Sequence, residues 1–375
     1  MKNISKIVIS PDSFKDSISA KDASLAIRNG LFSVLGDRCE YIIAPIADGG
    51  EGTLDAIVDE KNIVTLSVTG TSWNKVNACY GFIGDTAVIE MARAAGLMLT
   101  PKEKRRAADA TTYGVGELIL DALDKGFRKI LLTAGGSGTN DGGCGMISAL
   151  GARFYDADGN LFVPTGKSMS KIQRIDTSEL DKRLGECQFT IATDVTNLLL
   201  GDTGATFVYG RQKGADDADL ILMEEGMKNY ASILEQICSK KVSEIQGCGA
   251  GGGIAAPLLA FTDAHIESGI ESVLKAIKYN ELIENADAVI TGEGKIDRQS
   301  LFGKAISGVA RYAAKASIPV YCFVGAIGDD KELLLSMGLE DIYALSDIAP
   351  SVEYSMSHSD ELLFKLGAEL GRKLC

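Results

Sequence analysis

Lys6-Ile7-Val8-Ile9-Ser10-Pro11-Asp12-Ser13-Phe14-Lys15 is the stretch on which the fold turns. Its first half is a short, β-branched apolar run, the signature of a buried strand, and Pro11 breaks it. A capping box, Ser19-Ala20-Lys21-Asp22, then opens a helix whose apolar residues Ala23, Ala26, Ile27, Leu31, Val34 and Leu35 recur at helical spacing. A second apolar strand, Tyr41–Ala44, ends in the loop Ala47-Asp48-Gly49-Gly50-Glu51-Gly52. Strand, loop, helix, strand, loop is the start of a parallel α/β sheet.

Working outward, the texture changes near residue 63. Ile63–Val68, Val76–Ile83 and Thr86–Met91 read as short strands joined by brief Gly, Asn and Asp turns, a meander rather than βαβ units. A helical stretch around Gly116–Leu123, strand Lys129–Thr133, a glycine-rich loop and a helix near Cys144–Leu150 follow. Phe189–Ala192 and Ala205–Tyr209 read as strands, and Asp217–Ile237 as a long helix. The last third returns to the first texture: Ala288–Ile290 leads into Thr291-Gly292-Glu293-Gly294, and Pro319–Val324 leads into Gly325-Ala326-Ile327-Gly328. Ile342–Leu345 reads as a third short strand there. The expectation is a discontinuous α/β domain, residues 1–65 plus 251–375, interrupted by an inserted mixed α/β domain, 66–250, with the active site in the cleft between them.

Composition narrows the function classes. The 375 residues are 46% hydrophobic and carry a net charge of −13, which suits globular domains and argues against nucleic acid or an anionic membrane surface as partner. Eight scattered cysteines with no C-x-x-C fit free thiols in a reducing compartment. Met1–Ser5 runs straight into a strand with no apolar leader, and no apolar run approaches the roughly 18 residues of a membrane helix, so a cytoplasmic protein is expected. With only His265 and His358, a catalytic base is expected to be a carboxylate or a lysine.

Standard nucleotide motifs fail. Gly159 to Gly166-Lys167-Ser168 has six intervening residues where a P-loop needs four. Gly247-x-Gly249-x-x-Gly252 lacks a clear preceding strand, and close packing of the helix Ile254–Phe261 explains it as well as a dinucleotide does.

Four other loops carry chemistry together. Gly135-Gly136-Ser137-Gly138-Thr139-Asn140-Asp141-Gly142-Gly143 lies between a strand and a helix, where backbone N–H groups and a helix N-terminus favour phosphate or carboxylate. Ser137, Thr139 and Asn140 can donate there, and Asp141 can accept or help hold Mg²⁺. Ser13 and Lys15 follow the first strand, where an open α/β sheet has its ligand crevice. Asp48, Gly49, Gly50 and Glu51 place two carboxylates three residues apart among glycines, suited to a hard cation. Gly292, Glu293 and the later Lys304 repeat the pattern, and Asp194 and Lys213 join the same class. Glycine, carboxylate and lysine recurring at strand ends suit phosphoryl transfer, which asks a protein mainly for positioning and charge neutralisation.

In order along the chain, Pro11–Lys15, Ala47–Thr53, Ala110-Thr111-Thr112-Tyr113-Gly114, Gly135–Gly145, Gln212-Lys213-Gly214-Ala215 and Thr291–Asp297 resemble the bacterial-type glycerate kinase family over nearly the whole chain. The resemblance implies ATP-dependent phosphorylation of D-glycerate, at the 2-hydroxyl, with Mg²⁺, on a Rossmann-like parallel-sheet domain interrupted by a second α/β domain. From their placement at strand-end loops, Lys15, Asp48, Asp194 and Glu293 are the catalytic candidates, with Glu51 and Asp194 toward the metal. Ser13, Gly49, Gly50, Gly135, Gly136, Ser137, Thr139, Asn140, Asp141, Lys213, Gly292 and Lys304 are then expected around substrate and phosphates. The chain departs from the family at Thr193-Asp194-Val195-Thr196-Asn197-Leu198, where the usual run is Cys-Asp-Val-Asp-Asn-Pro, at Arg211 in place of Pro, and at Gly138 in place of a frequent Ala. A kinase for another small hydroxy or sugar acid, or a non-catalytic nucleotide- or metabolite-binding protein of the same fold, would share these loops; an oxidoreductase ranks last.

Overall fold

The computed structural model describes residues 4–301 and 304–375. The lead-in Met1–Asn3, expected to run straight into the first strand, lies outside the described residues. In chain order the strands are β1 (Lys6–Pro11), β2 (Glu40–Ile43), β3 (Ile63–Thr69), β4 (Lys75–Ile83), β5 (Thr86–Glu90), β6 (Lys129–Thr133) and β7 (Arg153–Tyr155). Then come β8 (Leu161–Phe162), β9 (Arg174–Asp176), β10 (Gln188–Ala192), β11 (His265–Glu267), β12 (Ala288–Ile296), β13 (Val320–Ile327) and β14 (Asp341–Ala344).

The chain divides into two compact units, one of residues 1–48, 55–57 and 268–375, the other of 49–54 and 58–267. The expected boundary at 65 would cut β3, whose Ile63–Thr69 pair with Lys75–Gly81 of β4. The one at 250 would strip off the helix Ala255–Phe261, whose Ala255, Ala256 and Leu258 are buried in the second unit's core.

In the first unit five strands run parallel in the order β14-β13-β12-β1-β2. Counting only this unit's strands, that is the 2-1-3-4-5 order of doubly wound sheets, whose ligand crevice lies at the carboxyl ends of the first and third strands. Here those are β1 and β12. Alternation along each strand feeds two cores. Val8, Val289 and Val324 face the helices Gly269–Ala276 and Ala305–Lys315, whereas Ile7, Ile9, Ile290 and Phe323 face Ala20–Leu35 and Ser359–Leu374. Ser19 caps the first helix as expected, its Oγ accepting the Asp22 N–H at 3.1 Å.

Thr291–Ile296 is not a loop. It continues β12, paired through Ile296↔Ile327 with β13, because Gly292 and Gly294 leave room for neighbouring backbone: a Cβ on Gly292 would stand 2.0 Å from the Phe323 carbonyl oxygen. The run Gly325–Ile327 likewise stays in β13.

The second unit is a mixed sheet, β11-β10-β6-β5-β4-β3, antiparallel through the expected meander and parallel from β5 onward, with a small sheet β8-β7-β9 beside it in the chain. Ala205–Tyr209, expected as a strand, is a short helix between Gly204 and Gly210; an apolar run this short has no periodicity to tell the two apart. The Gly247–Gly252 glycines serve packing. Cβ atoms on Gly249 and Gly252 would meet the Leu198 and Thr139 carbonyl oxygens at 2.3 and 2.1 Å, and no strand precedes the run: the 3₁₀ turn Val242–Glu244 does. No helix of the described residues is long and apolar enough to cross a membrane.

Helices Ala20–Leu35 and Ser359–Leu374 touch backbone to backbone at Gly30, where a Cβ would lie 2.1 Å from the Phe364 carbonyl oxygen. Gly→Ala inside a helix ordinarily stabilises by about 1 kcal/mol, but overpacking costs about 1–3 kcal/mol and dominates here. Gly30→Ala is expected to lower the unfolding free energy in urea; an increase would show that the helix pair separates without penalty.

Candidate active site

In the first unit, the carboxyl ends of β1 and β12 gather acidic side chains. Pro11 pairs with Gly292, and the Asp12 N–H continues the ladder to the Gly292 carbonyl at 2.8 Å. This sets Asp12 beside Glu293. The turn Phe14–Ile18 follows, with Asp16 in the left-handed region (φ 59°), and the Lys15 backbone packs on Gly294. Ser13 and Lys15 are exposed, as is Asp48 beyond β2. Glu293 is half-buried and accepts the Ser300 hydroxyl at 2.6 Å.

The electrostatics mark Asp12, a residue that was not among the expected site residues. Burial, and then the negative charges of Asp48 and Glu293, push its carboxyl up to about 7, against hydrogen bonding from Ser13. Burial also raises Glu293, opposed by Ser300 and Lys304. Lys304 stands immediately before the helix Ala305–Lys315. A carboxylate in the first turn after β1 was the available signal for Asp12; its two carboxylate neighbours arrive from residues 48 and 293. Gly292, expected at the substrate, owes its glycine to Phe323 and Phe14. Among the described residues no three His, Cys, Asp or Glu side chains are gathered closely enough to hold a metal ion by themselves. Mg²⁺ needs only one or two carboxylates beside phosphates and water, and Asp48 and Glu293 offer the hard oxygen donors it takes.

In the second unit the glycine-rich loop after β6 is turned inward. Thr139, Asn140 and Asp141 are fully buried, Ser137 nearly so, while Gly135 is half-buried and Gly136 exposed. Asp141 takes two of the loop's backbone donors and two from Thr112: Oδ2 accepts Thr112 N–H (2.8 Å), Thr112 Oγ1 (2.9 Å) and Gly145 N–H (3.1 Å), and Oδ1 accepts Gly143 N–H (3.1 Å). Burial still pushes its carboxyl up. The helix behind it is only Cys144–Ala149. Asp141, expected as an acceptor or metal ligand, thus organises the loop through these four bonds. Lys213, expected on an anion, is 2% exposed and donates instead to Ser137 Oγ (2.8 Å) and the Thr139 carbonyl (2.7 Å). Burial lowers its ammonium to about 7, with Asp141 opposing.

The Gly49–Leu54 loop has a similar internal anchor. Glu90, buried at the end of β5, accepts the N–H groups of Gly52 (3.0 Å) and Leu54 (3.2 Å). Gly49 is buried and Gly50 packs on Gly135; a Cβ there would come 2.8 Å from the Gly50 Cα. Glu51 remains exposed, its carboxylate beside Gly136. Asp194 is exposed just past β10. All eight cysteines are free thiols.

The model of the glycerate kinase family matches residues 7–375. A glycerate kinase of Halalkalibacterium halodurans is 43% identical over 95% of each chain, and a glycerate 2-kinase of Escherichia coli is 43% identical over 91% of this chain and 90% of its own. A crystal structure assigned as glycerate kinase 2, from Salmonella typhimurium LT2, superposes with a TM-score of 0.88 at 39% identity, covering 99% of this chain and 98% of that one.

Asp12 binds its proton more tightly folded than unfolded, so between its ordinary value of 3.8 and about 7 the folded state holds the extra proton and stability falls as pH rises. Above that window the folded protein carries a disfavoured charge. Asp12→Asn is expected to raise stability at pH 8 by about 1–3 kcal/mol while changing it little at pH 4, measured by urea unfolding at both. Equal effects at the two pH values would remove Asp12 from the acidic cluster.

Proposed function

This chain belongs to the glycerate kinase family, and from that membership together with the acidic cluster at β1 and β12 we propose that it transfers the γ-phosphoryl group of ATP to the 2-hydroxyl of D-glycerate with Asp12 as general base. The observation that carries the base assignment is Asp12 itself, a carboxylate held near neutrality at the switch point of a doubly wound sheet. A base poised near the working pH accepts the attacking hydroxyl's proton without being fully protonated beforehand. Lys15 and Lys304 neutralise charge on the carboxylate and phosphoryl groups. Asp48 and Glu293 would hold Mg²⁺, which supplies charge neutralisation on the phosphates when bound. Free thiols and an ATP requirement support a cytoplasmic setting.

The test is ATP, Mg²⁺ and D-glycerate with the product resolved by ³¹P NMR. 2-Phosphoglycerate is expected, and 3-phosphoglycerate would overturn the regiochemistry. kcat/KM is expected to rise with pH through about 7, and Asp12→Asn to lower kcat by about 10²–10⁴-fold and abolish that limb. Lys15→Ala is expected to lower kcat/KM by about tenfold or more. A near-wild-type value would sink the site assignment.

A further inference from the structure

Residues 205–213 of the second unit fasten two loops that leave neighbouring strands. β6 and β10 pair in parallel with Thr133 opposite Ala192, so the loops that follow them start side by side at the carboxyl edge of the sheet. The helix Ala205–Tyr209 and the 3₁₀ turn Arg211–Lys213 reach both. Toward the β6 loop, Thr206 Oγ1 accepts Asn140 Nδ2 at 3.1 Å, and Lys213 Nζ donates to Ser137 Oγ and the Thr139 carbonyl. Toward the β10 loop, the Tyr209 hydroxyl donates to Asn197 Oδ1 at 2.7 Å, and Asn197 Nδ2 donates to the Thr203 carbonyl at 2.7 Å. Asn197 lies three residues beyond Asp194.

An ammonium taken out of water costs several kcal/mol unless hydrogen bonds replace its hydration. Both bonds of Lys213 go to the glycine-rich loop, which is fixed from its other side by Leu97 N–H to the Gly136 carbonyl and Gly138 N–H to the Ala95 carbonyl, each 2.8 Å. A loop with glycines at 135, 136 and 138 would lose much conformational freedom on ordering, and the clamp offsets that loss.

We propose that Lys213 and Tyr209 are positioning residues, holding the loops after β6 and β10 at one fixed spacing for phosphoryl transfer, and that Lys213 is not a ligand of the substrate's anionic groups. The proposal rests on the kinase reading above and on the expected place of the Gly135–Gly145 loop at the phosphates. Misplacement of a reacting group by about 1 Å costs about 10²-fold in rate, so a clamp of this kind acts on kcat.

The experiment combines Tyr209→Phe, Lys213→Met, Ser137→Ala and the Ser137→Ala/Lys213→Met double variant in steady-state kinetics and amide hydrogen exchange. Tyr209→Phe is expected to lower kcat about 5–10-fold and Lys213→Met about 30–100-fold, with KM for ATP and glycerate changed less than about twofold. The double variant should be no worse than Lys213→Met, because both remove one interaction. Exchange should quicken in peptides covering 135–141 for Lys213→Met and 194–200 for Tyr209→Phe. Multiplicative losses, a rise in KM with kcat kept, or unchanged exchange would each overturn the proposal. Should Lys213→Met not fold, Tyr209→Phe and Ser137→Ala decide it by the same readouts. A wild-type protein without glycerate turnover would overturn the kinase reading, and the exchange measurements would still judge the clamp.

Discussion

Parallel pairing of β1 with β12 is the constraint on which the rest depends. Ser10 and Thr291, joined across this pair by a hydrogen bond, are 281 residues apart in the chain. Closing so long a loop has a length-dependent entropic cost of about 5 kcal/mol for a flexible chain. The intervening residues reduce that cost by forming a compact unit with its own core. What the pairing yields is chemical as well as structural: it sets the first turn after β1 against Gly292 and Glu293, and so creates the electrostatic environment of Asp12.

Once that sheet is built, the two sides of the first unit follow from period-2 alternation. Val8 and Ile9 point to opposite cores, and each core needs its own pair of covering helices. The close approach of Gly30 to Phe364 shows how tightly one of these layers is drawn down. A crevice at the carboxyl ends of β1 and β12 is the consequence of helices passing to opposite faces at that point. The acidic cluster of Asp12, Asp48 and Glu293 therefore sits where a doubly wound topology leaves room for a ligand.

Most of this architecture is legible in the amino-acid order, because β1 and the Ser19 cap are local signals; Pro11, expected to break the first strand, is instead its last residue, paired with Gly292. The interruption by a second unit is legible too, since a meander reads differently from βαβ units. What escapes local reading is set by partners distant in the chain. Thr291–Ile296 resembles a glycine loop until β13 pairs with it, and Ala205–Tyr209 resembles a strand until Asn140 and Asn197 grip its side chains. Asp12 was in plain view within the expected loop, yet its importance comes from Asp48 and Glu293. Glu90 ends an ordinary buried strand, and only the fold brings Gly52 and Leu54 to its oxygens.

Asp12 and Asp141 make the sharpest contrast in the molecule, because each is an aspartate beside a strand-end loop. Asp141 is surrounded by four donors from Thr112, Gly143 and Gly145, so its hydrogen-bonding capacity is spent within the chain. Asp12 meets Ser13, through its N–H at 2.5 Å and its side chain, and two like charges. A carboxylate with its acceptors filled organises a loop; one with few donors and acidic neighbours keeps the capacity to take a proton. The same rule separates the lysines. Lys213 is committed to Ser137 and Thr139, while Lys15 remains exposed on the turn after β1. Residue type is alike in these pairs, so the number of internal partners, and not the type of side chain, tells them apart.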